Sequence, residues 1–153
     1  MRSVEELFSI WKGSVGGNAT FLLNVPPNRD GLLADADVEV LAQLGEKIAH
    51  FRSRRVEASR KDEGDVVSLR FDAPHTVGAI VLEEDIAQGQ RIDEAVVTAR
   101  VDGDVEQEIA RVRCVGYRRI VTLEKPVTAT HVRVTVTKSR QGFYLADAYL
   151  IEA

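Results

Sequence analysis

The period of the hydrophobic pattern changes about one third of the way along the chain. Val4, Leu7, Phe8 and Trp11 recur at helical spacing. Ser3 followed by Glu6 forms a capping-box pattern at the start of that helix, and Gly13, Gly16 and Gly17 end it. Phe21 to Val25 is a short apolar run interrupted only by Asn24. Such a run predicts a strand buried on both faces, as in a parallel sheet. Pro26-Pro27-Asn28-Arg29-Asp30-Gly31 closes it as a loop. Asp35 is the expected N-cap of the next helix, with Asp37 in a first turn that favours negative charge. Val38, Leu41, Leu44, Ile48 and Phe51 draw an apolar stripe along that helix, and Arg52, Arg54 and Arg55 follow at its C-terminal end.

Arg54 to Asp65 is highly charged and contains Gly64, which fits a linker or a solvent-facing strand. From Val66 the pattern switches to period two. Strands are expected over Val66 to Phe71, Thr76 to Leu82, Glu94 to Val101, Tyr117 to Leu123, Thr130 to Thr137 and Phe143 to Ile151. In Val132-Arg133-Val134-Thr135-Val136 the valines alternate cleanly with polar residues. Asp102-Gly103 is a tight-turn signal, and Ala73-Pro74, Gln88-Gly89, Lys125-Pro126 and Gln141-Gly142 punctuate the rest. The expected fold is therefore mainly β: an antiparallel β-sandwich of the jelly-roll, galactose-binding-like kind, preceded by an αβα segment. The boundary falls between 1–53 and 54–153. One strand and two helices cannot bury a parallel sheet, so the αβα segment calls for strands on its edges that the chain does not supply.

Composition narrows the chemistry. Hydrophobic residues make up 44% and charged residues 29%, which suits a packed globular chain rather than a disordered one. A net charge of −4 lacks the basic surplus of a duplex-binding protein, so no nucleic-acid partner is expected. No apolar run approaches the roughly 20 residues of a membrane span, and no membrane partner is expected. No apolar segment follows Met1-Arg2-Ser3-Val4-Glu5-Glu6, so no signal peptide is visible. Cys114 is the single cysteine and reads as a structural thiol, with no second cysteine to pair within the chain.

His50, His75 and His131 lack metal-ligand spacing, so neither a metal nor a cofactor is expected. Ser14 and Ser139 sit in no nucleophile elbow, and Gly16-Gly17 is not a phosphate loop. Carboxylates are plentiful at Asp30, Asp35 and Asp37 and in Glu83-Glu84-Asp85. A retaining glycosidase needs two carboxyl groups about 5 Å apart. Adjacent strand residues point to opposite faces, so the acidic run reads as a solvated turn or an interdomain contact. Trp11, Tyr117, Phe143, Tyr144 and Tyr149 could stack on sugar rings, although core packing is the commoner use of aromatics. Tyr117 and Tyr144 are the sugar-stacking candidates.

Leu22-Leu23-Asn24-Val25-Pro26-Pro27-Asn28-Arg29-Asp30-Gly31-Leu32, with Gly16-Gly17-Asn18 before it and Asp37-Val38 after it, resembles the end of the catalytic domain of family 29 α-L-fucosidases. Glu83-Glu84-Asp85-Ile86, Gly89-Gln90-Arg91, Tyr117-Arg118-Arg119 and Val132-Arg133 to Thr137-Lys138-Ser139 resemble the C-terminal sandwich of many members of that family. The resemblance implies a retaining exo-glycosidase acting on terminal α-L-fucose through an aspartate nucleophile and a separate acid/base. It also implies that residues 1–53 are the last units of a (β/α)8-like barrel, whose active site lies at the C-terminal ends of its strands. Asn24 would then be substrate-adjacent. The family's nucleophile and histidine-rich strands have no counterpart here, so no residue of this chain is assigned a catalytic role and the chain alone is expected to be inactive. The implied partners are a fucosylated glycan and a missing catalytic barrel or partner chain. Relatives of this kind are often secreted, periplasmic or lysosomal. The alternative reading is a stand-alone carbohydrate-binding or structural accessory sandwich.

Overall fold

The computed structural model describes residues 2–101 and 105–153, so the expected Asp102-Gly103 turn lies outside the described residues. Helix α1 spans Val4–Ser14, and its start is the capping box read from the sequence. The Glu6 amide donates to Ser3 Oγ at 3.3 Å, and the Ser3 amide donates to the Glu6 carboxylate at 3.0 Å. Helix α2 spans Asp35–Ser53 and is preceded by Ala34 at the cap position with no side-chain cap bond. Asp35 is thus the first helical residue rather than the cap. It and Asp37 offset the first-turn amides as charges beside the positive end of the helix dipole.

Between the helices, the expected strand at Phe21 to Val25 does not form. Residues 19–28 have no regular structure, and Leu22 is 90% exposed. A parallel-type strand exists only with neighbours on its edges, and none of the described strands pairs with this segment. Asn28 shapes the following loop instead, its Oδ1 accepting the amides of Asp30 and Leu32 at 2.9 and 3.0 Å.

Seven strands follow among the described residues: β1 (Arg55–Val56), β2 (Ser59–Glu63), β3 (Val66–Glu84), β4 (Ile92–Val101), β5 (Val105–Arg113), β6 (Arg119–Ser139) and β7 (Leu145–Glu152). All their pairings are antiparallel, in the order β1-β7-β3-β6-β4-β5, with β2 also on β3. The charged stretch after α2 is therefore a strand over Ser59–Glu63 rather than a linker.

Two long strands build both layers. The first half of β3 pairs with β2 and with the second half of β6, which continues to β4 and β5. The second half of β3 pairs with the first half of β6 and with β7. The sequence pattern divides β3 and β6 at Pro74 and Pro126, but each runs on as one bent strand. The register slips between Arg70 and His75 on β3 and, against Val77 to Ala79, between Val127 and Thr122 on β6. Each proline falls in one of these slips, where its missing amide costs no ladder bond. Strands that change layer at such bends form the corners of a sandwich.

The sandwich core includes Leu69, Val77, Ile80, Leu82, Val97, Val132 and Leu150. A second apolar cluster joins Trp11 and Phe51 of the helices to Ala79, Val81 and Ile151 on the outer face of the layer formed by β1, β7 and the inner halves of β3 and β6. Phe8, Trp11 and Phe51 have ring centroids 5.7 to 5.9 Å apart. Ile80 and Val81 are both 0% exposed because one faces the core and the other faces the helices. The run Ala79-Ile80-Val81-Leu82 is thus the strand buried on both faces. Leu44 and Phe51 of the α2 stripe are buried, whereas Val38 remains exposed.

Candidate functional site

The densest polar organisation lies at one end of the sandwich, around the end of β3. Ile80, Leu82 and Glu84 share the inward face of β3, so the carboxylate of Glu84 enters the fold beside the core. Glu84 is 3% exposed. Its Oε1 accepts the amides of Arg91 and Ile92 at 2.6 and 3.0 Å, and its Oε2 accepts the amide of Gly116 at 3.1 Å. One carboxylate therefore ties the 85–91 loop to the 114–118 loop. For Glu84 this corrects the reading of Glu83-Glu84-Asp85 as a solvated turn or an interdomain contact. Glu83 points to the other face and pairs with Arg118 at 2.7 Å, and Asp85 accepts the amide of Ala87 at 2.9 Å.

The 114–118 loop is held from three further sides. Arg119 donates to the carbonyls of Cys114 and Arg113 at 2.9 and 2.6 Å. Gly116 has φ +60°, and Cys114 has φ +56°. Asn18, itself at φ +63°, accepts the amide of Tyr117 at 2.8 Å through Oδ1 and donates its own amide to the carbonyl of Arg118 at 3.0 Å. Ile120 donates to the carbonyl of Gly16 at 2.8 Å, and Gly17 bridges Arg119. The Gly16-Gly17-Asn18 motif is thus a backbone seam joining the helical segment to the sandwich. A Cβ on Gly16 would lie 2.6 Å from Ile120 Cβ, so only glycine permits this approach.

This frame displays both tyrosine candidates on the surface, Tyr117 at 57% and Tyr144 at 62% exposed. They flank residues 84–86: the amide of Glu84 donates to the Gly116 carbonyl and that of Asp85 to the Tyr144 carbonyl, both at 2.9 Å. Tyr117 lines an open cleft of about 610 Å³ with Trp11, Val15, Asn18, Phe21 and Ile86. The Arg118 guanidinium covers its ring at 5.4 Å. Tyr144 lines a second cleft of about 270 Å³ with Asp85, Gln88, Arg91, Gly142 and Phe143. Arg91 fixes that rim by donating to the Gly142 carbonyl at 2.7 Å.

Asn24 lines neither cleft and sits exposed in the 19–28 segment. Trp11 and Tyr149 belong to the helix–sheet cluster. Arg55 stacks over the Tyr149 ring at 4.2 Å, and burial, then the nearby Glu83 carboxylate, pushes the phenol above its ordinary value. The sequence reading missed Glu84, Asn18 and Gly116. The period-two alternation Ile80, Leu82, Glu84 carried the signal for the first of these. No group of three potential metal-ligating side chains occurs among the described residues.

The family 32 carbohydrate-binding module of Streptococcus pneumoniae EndoD shares this fold, with a TM-score of 0.51 and 20% identity over 57% of this chain and 69% of that one. No family model matches the chain. Alpha-L-fucosidase 1 of Arabidopsis thaliana is 25% identical over 88% of this chain and 33% of its own length. A crystal structure assigned as an α-L-fucosidase of Bacteroides thetaiotaomicron covers 100% of this chain, with a TM-score of 0.92 and 26% identity, and is matched over 35% of its own length. A glycoside hydrolase 29 family member from an unknown rumen bacterium covers 99% of this chain and is matched over 29% of its own, with a TM-score of 0.83 and 25% identity. The chain resembles a C-terminal part of family 29 α-L-fucosidases and spans about a third of the length of these relatives.

Proposed function

We propose that the chain is the C-terminal portion of a retaining α-L-fucosidase, in which hydrolysis of terminal α-L-fucose is carried out by residues outside these 153. The observation that carries this reading is the match over the whole chain, at a TM-score of 0.92, to about a third of a fucosidase-like structure. The unpaired segment supports it. Leu22, Leu32, Leu33 and Val38 are exposed in and after the 19–28 stretch, as apolar side chains would be if a neighbouring barrel normally covered them. In this reading residues 1–53 form the C-terminal end of that barrel and 54–153 the C-terminal sandwich, with Asn24 near the barrel mouth. The 153-residue chain should give no turnover of an aryl α-L-fucoside in a release assay. Turnover that disappears when a carboxylate of this chain is replaced would overturn the assignment.

The sandwich end supports an accompanying role in holding the glycan. An exposed tyrosine ring offers a flat apolar face to the C–H face of a pyranose, and the Glu84 frame fixes its loop before binding, which lowers the ordering cost. On a glycan array, binding by the chain should fall by about tenfold on Tyr117→Ala or Tyr144→Ala, in line with the roughly 1–2 kcal/mol expected of a stacking aromatic. Unchanged binding in both variants would leave the sandwich with a buttressing role alone.

A further inference from the structure

The layer opposite the helices has an outer face that the fucosidase reading does not use. Val67, Leu69, Val132, Val134, Val97 and Ala99 point inward, so their alternates point out. Register then places Arg70, His131 and Arg100 side by side on β3, β6 and β4. The next row along carries Lys61, Ser68, Arg133 and Thr98. Like charges directly opposite one another across strands are destabilising, so a row of cationic groups needs compensation. Part of it comes from the protein. Arg133 pairs with Glu106 at 3.1 Å, and Lys61 pairs with Glu63 at 2.6 Å. Arg70 has no carboxylate partner among the described residues.

His131 supplies an independent observation. It is 7% exposed, and its Nε2 is buried with no hydrogen-bond partner. An unpaired buried polar atom costs about 1–3 kcal/mol, so its persistence calls for an explanation. The ring lines a cleft of about 370 Å³ together with Ser59, Arg60, Lys61, Glu63, Ser68, Arg70 and Arg133, and the one carboxylate among them, Glu63, is paired with Lys61. With Lys61 taken by Glu63, the guanidinium groups of Arg70 and Arg133, the His131 imidazole and the serine hydroxyls leave the lining with a surplus of donors, which suits an acceptor with several oxygens.

We propose that this cleft is an oxyanion site, formed by Arg70, His131 and Arg133 with the serine hydroxyls, that takes a tetrahedral oxyanion, for which sulfate is the probe. The group is either a free ion or an ester on a sugar. The site lies on the opposite layer from the helical segment, and it does not depend on the assignment of hydrolysis to other residues.

The electrostatics fit. Burial, and then Arg70, Arg133 and Arg100, hold the imidazole below its ordinary value, with Glu106 opposing them. A bound oxyanion reverses that repulsion and raises the pKa. Binding is therefore accompanied by proton uptake, and affinity rises as pH falls through the histidine range.

The test is an NMR titration of the His131 imidazole in the full 153-residue chain at constant ionic strength. Inorganic sulfate, a glucose sulfate ester and unmodified glucose serve as probes. Sulfate or the ester should raise the His131 pKa, and glucose should not. Arg70→Gln, an exposed position, should weaken sulfate binding about tenfold. His131→Gln should remove the pH dependence of binding. Tighter binding of the ester than of the ion identifies a sulfated glycan as the source, and the reverse order identifies the free ion. A His131 titration unmoved by saturating sulfate and ester, or sulfate binding unaltered by Arg70→Gln, overturns the proposal.

Discussion

Replacing Glu84 with alanine should destabilise the chain by about 3–5 kcal/mol, the loss expected when several buried donors are left unsatisfied together. Glu84 accepts three amides, those of Arg91, Ile92 and Gly116. The bonds to Ile92 and Gly116 are fully buried. Removing the carboxylate leaves these N–H groups without an acceptor and opens a cavity at the end of the core. Each buried unsatisfied donor costs about 1–3 kcal/mol, and the sum is reduced by water that enters the gap. Urea unfolding followed by tryptophan fluorescence measures the change, since Trp11 is the single tryptophan. Glu84→Gln retains one oxygen of similar shape and should recover part of the loss. A Glu84→Ala variant within about 0.5 kcal/mol of the parent, the range of ordinary surface substitutions, would mean that the carboxylate does not organise this end of the sandwich.

The same substitution should move the candidate sugar site. The 114–118 loop carries Tyr117, and the 85–91 loop carries Asp85, Gln88 and Arg91 of the second cleft. Glu84 joins these loops, so glycan binding should weaken in any Glu84→Ala protein that remains folded. The tyrosines would still be present but no longer held in place, and the ordering cost would fall on the binding step.

The sandwich was legible in the sequence because its signal is local. Val132-Arg133-Val134-Thr135-Val136 alternates in period two, and the structure buries all three valines. The capping box at Ser3 and Glu6 is equally local, needing only four residues in a row. Features set by distant neighbours were not legible. Phe21 to Val25 and Ala79 to Leu82 are both short apolar runs, and nothing within either run says which one finds partners on its edges. Only the second does, between β6 and β7. The prolines in β3 and β6 look like strand ends when each strand is read alone. They become corners only once the two strands are paired and their slips are seen to alternate.

The end of the sandwich that carries the tyrosine candidates is harder to read. The pattern puts Tyr117 and Tyr144 at the starts of expected strands, whereas β6 begins at Arg119 and β7 at Leu145, which leaves both tyrosines in the preceding loops. Their common organiser, Glu84, was hidden in an acidic run whose members face different ways. Asn18 and Gly116 lie 98 positions apart in the numbering, and their contact could not be read from either neighbourhood.

That contact leads to the second large expected effect. Gly116→Ala should cost about 2–4 kcal/mol, because two separate penalties fall on one methyl group. The backbone at Gly116 has φ +60°, where a Cβ costs about 1 kcal/mol or more. The added Cβ would also stand 2.2 to 2.4 Å from the carboxamide atoms of Asn18. Asn18 cannot simply rotate away, since its Oδ1 holds the Tyr117 amide at 2.8 Å. Asn18→Gly alone should cost about 1 kcal/mol: it gives up that bond, while glycine accepts the left-handed backbone that Asn18 adopts. In the double variant the clash is gone, and what remains is the backbone penalty at position 116 and the lost bond to the Tyr117 amide. The two substitutions should therefore be less than additive by about 1–2 kcal/mol, as expected for residues in direct contact. Denaturant unfolding of the four proteins of this cycle measures the coupling. Strict additivity would show that the seam between the helical segment and the sandwich does not run through Asn18, and that the cost at position 116 is backbone strain alone.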